Sequence, residues 1–113
     1  MKTWDDWSDY EVNKAAVKFL EINIEDMSDF YPEPYLFNED SQREFSLCNS
    51  WADMGPIIQS KQIDLISPTA GGMSVWQAEK FYPEKLSGNI NASAKNPLRA
   101  AAIVFLMMNG VNP

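Results

Sequence analysis

The stretch Asn96-Pro97-Leu98-Arg99-Ala100-Ala101-Ala102-Ile103-Val104-Phe105-Leu106-Met107-Met108 decides the fold. Asn96 is a good helix cap, because its side chain can accept from an amide of the first turn. Pro97 suits the first helical position, where no backbone N–H is needed. No breaker follows until Asn109-Gly110, a C-terminal stop. From Ala100 to Met108 apolar residues cover every side of the helix, so it is predicted to be the buried centre of the domain. The rest of the chain must then cover it. With 113 residues, 45% of them hydrophobic, residues 1–113 read as one domain with enough apolar side chain for a core.

Upstream of that helix, Ile63–Ser67 reads as a strand and Ser74–Lys80 as its return. Pro68-Thr69-Ala70-Gly71-Gly72 between them is a turn cluster, with glycines for the reversal. Residues 83–95, rich in Pro, Gly, Asn and Ser, read as a loop. Asn49–Asp53 reads as a turn and Pro56–Lys61 as a short helix with Ile57 and Ile58 inward, because Gly55-Pro56 interrupts the run. At the start, Ser8-Asp9-Tyr10-Glu11 forms a capping box, and Val12, Ala15, Ala16, Phe19 and Leu20 follow at helical spacing. A helix over Asp9–Glu21 is predicted.

From Asn23 to Asn49 the periodicity fails. Pro32 and Pro34 exclude a helix interior, and Tyr35–Phe37 and Phe45–Leu47 are candidate extended pieces. Glu39, Asp40 and Glu44 between them suggest a solvent-facing loop. The expected fold class is α+β: an N-terminal helix, a short middle helix, a β-hairpin or small antiparallel sheet, and a buried C-terminal helix.

Composition narrows the chemistry. The chain has no histidine and one cysteine, Cys48. A Ser-His-Asp triad, a Cys-His dyad and a structural zinc site therefore cannot be built within one chain, and no intrachain disulfide can close. The expectation is a protein without catalytic residues, metal or cofactor. The longest apolar run, Ala100–Met108, is too short to cross a bilayer, which takes about 20 residues, so no membrane role is expected. Net charge is −7; residues 1–48 contribute −8 and residues 49–113 contribute +1. So acidic a half argues against nucleic-acid binding, which needs clustered Lys and Arg, and fits either a basic partner or plain solvation.

Three segments in order carry a resemblance. Asp9-Tyr10-Glu11-Val12-Asn13-Lys14, Cys48-Asn49-Ser50-Trp51-Ala52-Asp53-Met54-Gly55-Pro56-Ile57-Ile58, and the stretch from Asn96 to Met108 together resemble the bacteriophage NinX-like proteins. Ile24–Arg43 does not resemble that family. The resemblance implies a phage accessory protein acting in the host bacterial cytoplasm, and it carries no activity with it. Phages encode many small counter-defence proteins that sequester nucleotide-derived signals or bind a host protein, an associational guide only.

For a ligand, the residues singled out are Arg99, Trp51, Asn96 and Gly55. A first-turn arginine beside free amides makes an anion-binding corner, for which Asn96 supplies the helix start. The plain alternative is that Arg99 pairs with an internal acid. Trp51, ahead of Gly55-Pro56, could stack on a base or ribose; the alternative for Trp51, as for Trp76, is core packing. Gly71-Gly72 as a phosphate cradle, Cys48 as a nucleophile, and Asp5-Asp6 or Glu25-Asp26 as a cation site are each outweighed by a hairpin turn, an inert thiol and a solvated face. Tyr31–Tyr35 reads as a rigid connector or a recognition loop.

These readings lead to two expectations. The first is a non-enzymatic phage protein that sequesters a small anionic, nucleotide-like ligand through Trp51 and Arg99, with a homo-oligomer interface completing the site. The second is an acidic protein–protein module, using Trp4, Trp7, Tyr31 and Tyr35, that binds a basic host or phage protein.

Overall fold

A computed structural model describes residues 2–113 apart from Ser28, Phe30, Tyr31, Pro32, Met73 and residues 83–88. The described residues form α1 (Asp9–Val17), β1 (Ile24–Met27), β2 (Tyr35–Asn38), β3 (Arg43–Phe45), α2 (Trp51–Lys61), β4 (Asp64–Ile66), α3 (Pro68–Gly71), β5 (Trp76–Phe81), β6 (Asn89–Ala94) and α4 (Pro97–Met108). A single 3-10 turn, Trp4–Asp6, precedes α1. The fold class is α+β, as the sequence pattern indicates.

Helix α4 starts and stops where its residues require. Asn96 accepts from the Leu98 amide at 2.8 Å, Pro97 takes the first position, and Gly110 adopts φ +80° beyond the end. Leu98 and Ala100–Leu106 are buried, so this helix is the centre of the core. One flank meets β5 and β6, and α1 and α2 close over others.

The second sheet has the order β4-β5-β6, all antiparallel. Its first two strands are the predicted hairpin. The turn cluster between them is one helical turn rather than a plain reversal. Ser67 accepts from the Ala70 amide, Pro68 opens the turn, and Gly72 ends it at φ +65°. Strand β6 occupies residues expected to be loop. Its Asn, Ser and Ala have weak strand preference, yet Ile90, Ala92 and Ala94 alternate inward while Asn89, Asn91 and Ser93 face solvent. The earlier part of that expected loop, 83–88, lies outside the described residues.

Two further expectations need correction. Strands β1, β2 and β3 form the first sheet, in that order, with Ile24 opposite Asn38 and Leu36 opposite Phe45. The expected extended piece at Tyr35–Phe37 is β2, the one at Phe45–Leu47 is shifted to Arg43–Phe45, and β1 was not foreseen. Only Leu36 and Phe45 of these strands are buried, so no regular alternation announced the sheet. Helix α2 is continuous through Pro56, where a turn and a shorter helix were expected. An interior proline costs a helix about 3 kcal/mol. Here Ser50 caps the start, and Met54 and Ile57 anchor the helix in the core, so packing overrides the proline. Helix α1 has the predicted capping box but ends at Val17, short of Glu21.

Candidate functional site

The start of α1 organises the polar part of the molecule. Ser8 accepts from the Glu11 amide at 3.1 Å and Glu11 accepts from the Ser8 amide at 2.9 Å. These bonds favour the carboxylate and lower the Glu11 pKa, the backbone amide of Ser8 first. One turn on, Asn13 sits on the buried face between Val12 and Ala16. A buried amide must be bonded, and Asn13 is bonded at both ends. Its Oδ1 accepts from the Leu47 amide at 2.9 Å and the Cys48 amide at 3.2 Å, while its Nδ2 donates to Ser46 Oγ at 3.2 Å. Asn13 thus fixes the chain between β3 and α2 against α1.

Asp9, in the first turn of α1, ties in the start of α4. Arg99 donates to Asp9 Oδ1 at 2.7 Å, and Asn49 donates to Asp9 Oδ2 at 3.1 Å. The other end of the Arg99 guanidinium donates to the carbonyls of Trp4 (2.8 Å) and Trp7 (2.6 Å). A cation is unfavourable in the first turn of its own helix. The carboxylate and two carbonyls compensate, and with 16% of its side chain exposed Arg99 clasps the N-terminal segment to α4. Asn96 joins the same junction by donating to the Cys48 carbonyl at 2.7 Å. Burial pushes the Cys48 thiol up to about 12, and the charge of Asp9 adds to the shift.

In front of this junction lies an open cleft of about 500 Å³ between α1, the start of β2 and the end of β3. It is lined by Ser8, Asp9, Tyr10 and Asn13 on one side, and by residues that include Glu33, Tyr35, Glu44 and Asn49 on the other. Among the described residues, no lysine or arginine lines it. Asp9 is balanced by Arg99, whereas the side-chain carboxylates of Glu33 and Glu44 make no hydrogen bond or ion pair among the described residues. Tyr10 is oriented by donating to Asp26 at 2.6 Å, which raises its pKa, and Lys14 pairs with the same carboxylate at 3.0 Å. Chemically, the cleft offers uncompensated negative charge beside two aromatic rings.

The residues singled out from the sequence are placed differently. Arg99 and Asn96 belong to the junction behind the cleft, and none of Arg99, Asn96, Trp51 and Gly55 lines it. Trp51 opens α2 and is 57% exposed, out of the core, and Gly55 lies one turn further with open space beside its Cα. Trp76 is half-buried on β5. Of the acidic module's aromatics, Trp4 and Trp7 pack against each other at 5.0 Å and against the core. Tyr35 lines the cleft, and Tyr31 lies outside the described residues. Sequence reasoning missed Asn13, Glu33 and Glu44. An amide on the apolar stripe of α1 was a usable signal for Asn13; nothing local marked the two glutamates.

No helix among the described residues is long and apolar enough to cross a membrane. No group of three or more His, Cys, Asp or Glu among them could hold a metal ion. In comparisons with known proteins, the family model described as Bacteriophage P22, NinX matches residues 5–109. No curated protein matches the chain.

Proposed function

The chain belongs to the bacteriophage P22 NinX family, a phage accessory setting from which we propose that it is a non-enzymatic binding protein. Its acid-lined cleft takes a cationic group presented by a host or phage protein. The observation that carries this reading is the pair of carboxylates, Glu33 and Glu44, that have no partner among the described residues, in a cleft that none of the described lysines or arginines lines. Such a site attracts a lysine or arginine and repels phosphate. The Tyr10 ring, which already carries the Lys14 ammonium 5.7 Å from its centroid, shows the kind of cation–ring contact, worth about 0.5–2 kcal/mol according to its desolvation, that this wall can make. The −8 charge of residues 1–48 steers a basic partner to this half of the molecule.

The test is capture of partners from phage-infected host lysate by the intact protein and by a Glu33→Gln/Glu44→Gln double variant. Both glutamates are exposed, so the variant keeps its melting temperature. The proposal expects a partner retained at low salt, released at high salt and lost by the double variant. Capture that ignores both salt and the substitutions overturns it.

A second reading, sequestration of an anionic nucleotide-like ligand as a counter-defence device, has one supporting observation: the exposed ring of Trp51 beside the side-chain-free Gly55. Against it stands the engagement of Arg99 by Asp9 and two carbonyls. This reading expects phosphorylated nucleotides to raise the melting temperature and Trp51→Ala to remove the rise. A panel without any shift discards it.

A further inference from the structure

Among the described residues the two sheets have four edge strands, and one of them is built differently. Strand β1 has four residues and carries Glu25 and Asp26. Strand β3 has three, with Arg43 and Glu44, and β4 has three, with Asp64. Short, charged edges of this kind discourage pairing with another chain. Strand β6 has six residues, Asn89-Ile90-Asn91-Ala92-Ser93-Ala94, with no charge and no proline. It is hydrogen-bonded to β5 along one side and is otherwise packed on α4. Among the described residues, no backbone hydrogen bond outside that ladder involves residues 89–94, so the row of N–H and C=O groups on its outer side has no protein partner.

We propose that β6 is a self-association edge, on which a second copy of this chain pairs antiparallel to join two three-stranded sheets into one of six strands. The occupant follows from charge and symmetry. A basic partner is drawn to residues 1–48, which hold the negative charge, whereas residues 49–113 sum to +1 and do not repel their own copy. Pairing two copies through β1 would set Glu25 and Asp26 against their equivalents or against each other. Through β6 no like charges meet. Directly opposed residues in an antiparallel ladder share a face of the sheet. A two-fold axis therefore has to pass through a residue position, placing Asn91 opposite Asn91 or Ala92 opposite Ala92. In either register the polar residues Asn89, Asn91 and Ser93 stay on the solvent face, and Ile90, Ala92 and Ala94 stay on the face that covers α4. A contact of one strand is smaller than a standard interface, so the association is weak and concentration-dependent.

The test is sedimentation velocity of the full chain from about 1 µM to about 1 mM, the range in which so small a contact would associate. It is paired with amide hydrogen exchange at both ends of that range. The proposal expects a dimer at the upper end that persists in high salt, with slowed exchange at β6 amides. An Asn91→Lys/Ser93→Lys double variant sets lysine opposite lysine in one or other register and should weaken the dimer at least tenfold while its melting temperature is kept. A chain that stays monomeric throughout overturns the proposal. So does a dimer indifferent to the lysines, or one that dissociates in salt, which would point to the acidic cleft instead.

Discussion

The two halves of this molecule are held together by different physics. Around α4, stability comes from area: Leu98 and Ala100–Leu106 are buried, and β5, β6, α1 and α2 close over them. Around the start of α1 and the first sheet it comes from placed polar bonds. Asn13 holds the chain at Ser46–Cys48, Arg99 holds Trp4 and Trp7, and Tyr10 and Lys14 hold Asp26 on β1. The difference teaches where function can sit. An apolar half tolerates no cavity, whereas a half built on hydrogen bonds leaves an open cleft with carboxylates that folding does not use.

The comparison can be broken or sharpened by substitution. The largest effect is expected in the apolar half. Phe105→Ala removes a ring that is 2% exposed and should cost about 3–5 kcal/mol by urea denaturation. A loss below about 1 kcal/mol would show that α4 is not the structural centre. Cys48 reports on the boundary between the halves. With its thiol at about 12, the native protein should react with a thiol reagent near pH 8 on the order of a thousandfold more slowly than the urea-unfolded chain. The sign for stability follows: the folded state keeps the proton, so this contribution is complete below the ordinary thiol range. It is lost as pH rises toward about 12, because the unfolded chain ionises first.

In the polar half, single changes should be smaller. Asn13→Ala leaves the Leu47 and Cys48 amides without their acceptor and should cost about 1–3 kcal/mol. Arg99→Ala is expected in the same range, about 1–3 kcal/mol, with a change in tryptophan fluorescence as the Trp4–Trp7 segment loosens. If Arg99→Ala left both stability and fluorescence untouched, the clasp would be wrong. Smallest of all, Lys14→Ala removes a pair whose lysine is 57% exposed and should cost under about 1 kcal/mol, shrinking with salt. A larger loss at Lys14 than at Asn13 would invert the ranking on which the comparison rests.

What could be read from the residues divides along the same line. Helix α4 was legible from end to end, because Asn96, Pro97 and Gly110 act locally and its apolar run needs no partner to be recognised. The capping box of α1 and the β4–β5 hairpin were legible for the same reason. Strands β1 and β6 were not, since Glu25 and Asp26 or Asn89 and Asn91 become strand residues only through the neighbours they pair with. The continuity of α2 through Pro56 was hidden too, because burial of Met54 and Ile57 is a property of the assembled core. Arg99 was found as a residue out of place in its helix, and the plain alternative of pairing with an internal acid describes its partner Asp9. The cleft was invisible in the sequence. Its walls come from residues 8–13, 33–36 and 44–49, and no local pattern says that these meet.

The central claim is that the exposed carboxylates of this cleft bind a cationic group. The most direct measurement is an amide-resolved NMR titration of the intact protein with a short arginine-rich peptide at low and high salt. The account predicts shifts clustered at Ser8–Asn13, Tyr35 and Glu44–Asn49, abolished by salt and by Glu33→Gln/Glu44→Gln. Shifts spread evenly over the acidic surface, or unchanged in the double variant, would contradict it.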